Sequence, residues 1–510
     1  MDIQKKEVSV NMPIAKANCS VIVDSDAIVN DSKPDLLKII HIDPAVKLTK
    51  TEVLNGKMMI TGRVYYKVLY QPENASGVVG LYWSSDFSHM EENPDFAEGM
   101  MCSVSADVEH LEPELINSRK IKIKSVINLD LDVKSSASVM LPLSVSGDNL
   151  QTKVCDFNTF SSFLNKRDII TLNESLTLPA GKPNIGSLLK SDVSLCNKDV
   201  KVISGKVIIK GEVVICNLYI PETEEGIDYC SHSIPFTEIL DADGLTEDHI
   251  CNVKTDIEES DFSLATDPDG DIRIINSNVR LGVKISADQA VNEKAVCDVY
   301  SMTDQLDVSY NTLNLQNLIS SADFDHIVKA SVRPKNANSM LSVYNTTAKP
   351  TVTATNSADG IVSVEGFLDV CSLCICSDEN HPVLPHLEEI PFKIDMDVEG
   401  CMGGMDACAD VEVNNITYNL GVSGEIDLRI VLSCQTKVYE KYELDIIDHA
   451  ESMGARETDS PSIVLYFVQK GDTLWDIAKR YHTKAEYIME LNGSDCSDLK
   501  CGSQLLIPRG

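Results

Sequence analysis

At 510 residues and 43% hydrophobic content, the chain has length for three or four domains and enough apolar material for packed cores. Forty-four basic against 78 acidic residues give a formal charge of −34, and residues 463–510 hold six of each, so the excess lies upstream. That balance argues against nucleic acid and anionic lipid as partners of the main body, since both need Lys and Arg to neutralise phosphate; the 16 scattered cysteines are too sparse for a disulfide scaffold, and reduced thiols are expected.

Met1-Asp-Ile-Gln-Lys-Lys has no apolar run behind its charges. No stretch approaches the roughly 18 apolar residues of a membrane span, so neither a signal peptide nor membrane insertion is expected. Residues 1–24 read as an N-terminal arm or first strand.

A long strand pattern follows and is written three times. It runs from Gly56 through Gly62 to Tyr70, from Gly205 through Gly211 to Tyr219, and from Gly360 through Gly366 to Cys374; the copies lie 149 and 155 residues apart. Each carries an apolar row of period two, such as Met58, Ile60, Gly62, Val64, Tyr66 and Val68, which predicts a strand with one face in a core. The second Gly sits in that buried row, where a missing side chain suits a bulge or a close approach. Lys33-Pro34 and Lys182-Pro183 precede the first two copies at one spacing, and Arg333-Pro334 precedes the third at a looser one. Later alternating strands begin at Ile121, Ile272 and Ile426, and Val154-Cys155-Asp156 and Val296-Cys297-Asp298 follow the first two. A domain-sized period predicts tandem domains over 25–158, 159–308 and 309–447, mainly β and of sandwich or barrel type.

Sites for chemistry are scarce along this stretch. The sequence has no P-loop, no Gly-x-Ser-x-Gly and no His-Glu-x-x-His. Asp267-Pro-Asp-Gly-Asp271 has the wrong spacing for a calcium loop and reads as a hairpin turn. Cys371-x-x-Cys374-x-Cys376, with Cys401 and Cys408 downstream, is the best metal candidate, but side chains at odd spacing on one strand diverge. No metal, cofactor or catalytic set is expected.

Residues 448–462 have almost nothing to bury and read as a flexible linker. From Ile463 the pattern becomes βααβ. Tyr466-Phe-Val468 is a strand; Thr473 caps a helix with Asp476 as its capping-box partner, and Leu474, Ile477, Ala478 and Tyr481 form its apolar stripe. Thr483 with Glu486 is expected to cap a second helix ending near Asn492-Gly493, and Gln504–Ile507 is a last strand. If Tyr466 and Val468 face the helices, then Ile463, Leu465 and Phe467 face outward. Trp475, beside Lys479 and His482, lies off the apolar stripe. Ile463, Leu465, Phe467 and Trp475 are therefore the expected partner-binding set.

The segment Val464–Pro508, with Tyr-x-Val-x-x-Gly-Asp-Thr-Leu-Trp-x-Ile-Ala and a closing Leu-x-Ile-Pro, resembles a LysM domain. The resemblance implies a groove for N-acetylglucosamine chains such as peptidoglycan, formed here by Gly471, Asp472, Thr473, Leu474, Leu491 and Asn492. Three Gly-to-Gly repeats before a LysM module resemble the SPOCS-repeat proteins of spore-forming Firmicutes. That likeness implies a non-enzymatic scaffold or adaptor in spore coat assembly. It would act in the mother-cell cytoplasm at the forespore surface, recruiting the stage-four sporulation coat ATPase and other coat proteins, with the β repeats supplying self- or partner-association. The alternative is a peptidoglycan-binding protein of the spore envelope.

Overall fold

The computed structural model describes residues 1–74, 77–223, 226–335, 339–378, 381–456, 463–493 and 499–508. Its first 455 residues form three copies of one six-stranded unit. The first copy is β1 (Asp2–Ile28), β2 (Leu36–Leu54), β3 (Lys57–Pro72), β4 (Val79–Glu92), β5 (Met101–Asn117) and β6 (Lys120–Ser146). The second is β7 (Leu150–Thr177), β8 (Ile185–Ile203), β9 (Lys206–Pro221), β10 (Asp228–Asp241), β11 (Ile250–Thr266) and β12 (Ile272–Ser301). The third is β13 (Asp304–Val332), β14 (Met340–Ala358), β15 (Ile361–Cys376), β16 (Val383–Asp397), β17 (Asp406–Leu420) and β18 (Ile426–Ala455). Within each copy two antiparallel sheets face one another, β2-β3-β4 and β1-β6-β5 in the first, and their inward rows make a separate apolar core.

The repeated glycines have two different jobs. Gly56, Gly205 and Gly360 close the two-residue turns before β3, β9 and β15 at φ +77°, +74° and +78°, which L side chains rarely adopt. Gly62, Gly211 and Gly366 lie directly across from Phe87, Phe236 and Phe392 on the neighbouring strand. The phenyl ring lies over each glycine and fills the place of its side chain. A Cβ on Gly366 would stand 2.1 Å from the Thr351 carbonyl oxygen, whereas on Gly211 its nearest neighbour is a Phe236 ring atom at 3.1 Å. Overpacking of this kind typically costs about 1–3 kcal/mol. Gly366→Ala is therefore expected to lower the urea midpoint most and Gly211→Ala least, because a ring can slide and a strand backbone cannot.

The tyrosine that ends the first two copies explains the Lys-Pro pair before them. The Tyr70 hydroxyl donates to the Pro34 carbonyl at 2.9 Å, and the Tyr219 hydroxyl to that of Pro183 at 3.2 Å. In the third copy Cys374 stands at this position, buried in the core, and the Arg-Pro spacing has drifted with it.

The three copies close into a ring. Lys67 reaches the Ser191 carbonyl of the second copy at 2.6 Å. The Cys216 carbonyl, at the same strand position in the second copy, accepts from Tyr344 of the third at 2.8 Å. Cys371, at that position in the third, lies 3.9 Å from His41 of the first. Around this axis Leu69, Leu189, Leu218, Tyr344, Leu373 and Ile375 form a shared core. Its polar counterpart is Lys190: the ammonium pairs with Asp43 of the first copy at 2.6 Å and with Asp192 of its own, and sits over the Tyr344 ring of the third. The imidazole of His41 meets the other Asp43 oxygen at 2.6 Å.

Below this head the long strands continue alone. Strand β5 pairs with β6 only as far as Lys134, β11 with β12 as far as Asp288, and β17 with β18 as far as Tyr439. Beyond those points three two-stranded ribbons, β1/β6, β7/β12 and β13/β18, pack together as a stem around Val10, Leu141, Phe157, Leu313, Leu315 and Ile446, then Val296, Val299, Ile447 and Ala450.

The stem corrects several expected boundaries. Residues 2–24 belong to β1 and pair with β6 along their length, with register shifts at Gln4/Lys5 and Pro13/Ala15. The boundaries expected at 158/159 and 308/309 fall inside β7 and β13; the chain passes between copies at the turns 147–149 and 302–303. Residues 448–455 are not a linker: they finish β18, paired with β13, and Ala450 is buried there at 3% exposure. Of residues 448–455 only Ala450 reaches the stem core, which is why this segment reads as having nothing to bury. The rest of the expected linker, 457–462, lies outside the described residues.

Candidate docking surfaces of the C-terminal module

The last module is β19 (Ile463–Phe467), α1 (Leu474–Tyr481), α2 (Ala485–Asn492) and β20 (Gln504–Pro508). Tyr466, Val468, Ile477, Ala478, Ile488, Leu505 and Ile507 form its core. Thr473 caps α1 as expected, its hydroxyl accepting from the Asp476 amide at 3.1 Å. The cap of α2 is a correction. Lys484 occupies the N-cap without a side-chain bond, and Thr483 is buried at 1% exposure one residue earlier.

Period two on β19 leaves one face outward. Ile463, Leu465 and Phe467 are 56%, 52% and 53% exposed, and Leu506, paired with Leu465, extends the patch onto β20. Trp475 does not share this open face. It lies on a second stripe of α1 with Lys479 and His482, and that stripe is docked on the stem. The indole packs edge-on against Tyr300 at 5.0 Å and its N–H donates to Asp298 at 2.8 Å. The Lys479 ammonium holds both Asp298 oxygens, at 2.6 and 2.8 Å, and Tyr310 donates to the same carboxylate. The Tyr300 hydroxyl donates to the Thr483 carbonyl at 2.6 Å, and His482 Nδ1 lies 2.9 Å from the Ser301 carbonyl oxygen. Burial works against the Asp298 charge, but Lys479, Trp475 and Tyr310 outweigh it and hold the carboxyl below its usual range.

Among the expected groove residues, three side chains bond within the module. Asp472 accepts from the Tyr466 hydroxyl at 2.5 Å and from the Gln469 amide at 2.8 Å. Thr473 is the helix cap. Asn492 donates to the Ile488 and Leu506 carbonyls and accepts from the Leu506 amide, tying α2 to β20. Gly471 takes φ +94° in the turn before α1, Leu474 packs against the core, and Leu491 is 43% exposed.

Segments 35–116, 184–265 and 339–421 match the SipL, SPOCS domain family model, and 466–508 match the LysM domain model. The chain belongs to the SPOCS-repeat proteins and ends in a LysM domain. No curated protein and no solved structure matches it. Each SPOCS match spans the four middle strands of a copy, so the outer two, which build the stem, lie outside it. SPOCS and LysM domains are non-catalytic scaffold or binding domains, and their combination marks a sporulation coat protein. Among the described residues no helix is long and apolar enough to cross a membrane.

The remaining candidates are resolved by position. Asp267 accepts from the Asp269 and Asp271 amides in a tight turn with Gly270 at φ +91°, as a hairpin requires. Cys374 points into the third repeat's core and Cys371 toward the inter-repeat junction, so the two thiols diverge. The Asp298–Tyr300 dock escaped sequence reading, although Trp475, Lys479 and His482 at i, i+4 and i+7 were a signal of a second buried stripe.

Proposed function

We propose that this protein is a non-enzymatic adaptor in coat assembly whose LysM domain docks a coat protein through the outer face of β19 and β20. The SPOCS-repeat resemblance supports the stage-four sporulation ATPase as that partner, with the adaptor acting on the mother-cell side of the forespore surface. One observation carries the reading. Ile463, Leu465, Phe467 and Leu506 present an exposed apolar patch with Gln504 at its edge, while Asp472, Thr473 and Asn492 of the glycan groove are already bonded within the domain.

Peptidoglycan binding through Gly471, Leu474 and Leu491 is the second reading, favoured by the LysM match and the exposure of Leu491. Leu465→Arg and Phe467→Arg in the full chain separate the two. Both substitutions lie on the solvent face, so the melting curve should stay unchanged while affinity for the purified ATPase falls at least about tenfold, a loss of about 1.4 kcal/mol. Unchanged ATPase binding, with sedimentation on purified peptidoglycan abolished by Leu491→Arg, would establish the second reading instead.

A further inference from the structure

We propose that Cys19, His89 and Glu91 form a divalent transition-metal site in the first SPOCS repeat, with zinc(II) as the fitting occupant. Cys19 lies on β1 and the other two on β4, strands of the two facing sheets. Their sulfur, imidazole nitrogen and carboxylate oxygen all lie within 4.8 Å of one another, and His89 Nε2 stands 3.2 Å from Glu91 Oε2. All three are half-buried at the rim of the core, in the inward rows of their strands.

The sister repeats show what packing alone asks for here. Phe87, Phe236 and Phe392 share one position, each opposite its glycine, so His89 and Glu91 correspond to Glu238 and Leu240 in the second repeat and to Ile394 and Met396 in the third. Ile394 and Met396 are core residues at 0% and 2% exposure. The third repeat thus keeps core-type side chains at both positions and the second at one, Leu240, whereas the first carries an imidazole and a carboxylate and sets a thiol beside them. Burying such groups is unfavourable unless their lone pairs are used.

The donor set selects the metal. A thiolate with an imidazole disfavours magnesium and calcium, which prefer all-oxygen shells, and suits zinc. Zn–S near 2.3 Å and Zn–N near 2.0 Å put tetrahedral donors roughly 3.3–3.8 Å apart. The His–Glu pair is already that close, and the thiol, within 4.8 Å of both, needs at most a small side-chain adjustment. His89 and Glu91 keep 22% and 30% side-chain exposure, which leaves the fourth position to water. The ion would clip the two sheets together at the open edge of their sandwich, with the Cys19 thiol proton released to solvent on binding.

Cobalt(II) titration of the chelator-treated full chain tests this. The wild type should develop a thiolate-to-cobalt charge-transfer band and the intense visible bands of four-coordination, and zinc should abolish both. Cys19→Ser should lose the charge-transfer band. A His89→Ile/Glu91→Met graft, which copies the third repeat and so preserves a packable core, should lose both features. Cys371→Ser should keep both. Zinc should raise the melting temperature of wild type and not of the graft. Cobalt spectra that are the same in wild type and graft, or a charge-transfer band that survives Cys19→Ser, would overturn the site.

Discussion

Lys190→Met is expected to open the head of the molecule. The ammonium is 3% exposed and stands where all three SPOCS repeats meet, between Asp43 and Asp192 and over the Tyr344 ring. Burial alone would drive it neutral; the two carboxylates outweigh that and keep it charged. Methionine fills the space but takes the shared cation away from two half-buried carboxylates, leaving Asp43 to His41 and Asp192 to Lys67. Removing one partner of a buried ion pair typically costs about 3–5 kcal/mol, a large share of the ~5–15 kcal/mol that holds a domain folded. Urea unfolding should show a midpoint far below wild type. Adding Asp43→Asn and Asp192→Asn should recover part of it, since the carboxylates are removed while His41 and Lys67 lose their partners with them. A midpoint within about 0.5 kcal/mol of wild type, the range of ordinary surface substitutions, would show the cluster to be solvated.

The same cluster predicts a pH dependence. Burial of the His41 ring works against its charge, but the Asp43 carboxylate at 2.6 Å prevails and holds its pKa up to about 9, from 6.5. A raised pKa contributes stability that is complete below 6.5 and lost as pH rises through about 9. Stability should therefore fall across that window, and His41→Gln should flatten the fall.

Asp298→Lys is expected to release the LysM domain from the stem. The carboxylate is the one acceptor shared by Trp475, Lys479 and Tyr310, and a lysine there would meet Lys479 head on. The isolated LysM core does not use Asp298, so the domain should stay folded while small-angle scattering shows a longer maximum dimension. Lys479→Asp added to Asp298→Lys restores opposite charges and should return part of the compact form, which a mere folding defect would not do. Because the Asp298 carboxyl is held below its usual range, docking in the wild type should be complete at neutral pH and weaken as pH falls through the carboxylate range. An unchanged scattering profile for Asp298→Lys would mean that the other contacts suffice.

The fold class was legible because period two is the strongest signal a half-buried strand writes, and Met58, Ile60, Val64 and their counterparts keep it through all three copies. The Asp267–Asp271 hairpin turn and the Thr473 cap of α1 were readable for the same local reason. Inter-repeat chemistry was not. Lys190 pairs with its own Asp192 and with Asp43 far upstream, and nothing in local sequence announces that partner. Trp475 was placed correctly off the core stripe, but whether an off-stripe aromatic meets solvent or a neighbour depends on Tyr300, in a segment that showed only as an echo of Val154-Cys155-Asp156. The stem escaped because its core is assembled from strand ends far apart in sequence, Val10, Leu141, Phe157, Leu313 and Ile446, which no local pattern joins.

The ring of repeats has a consequence for valency. Three separate subunits joined in this way would come apart on dilution, and each would bring its own binding module. Here one polypeptide supplies all three sectors, so the assembly holds at any concentration and stays intact when only a few copies have been made. The LysM domain at 466–508 breaks the near-threefold symmetry of this body, and the three flanks of the head are similar but not identical, so a partner that recognises one flank need not recognise the other two.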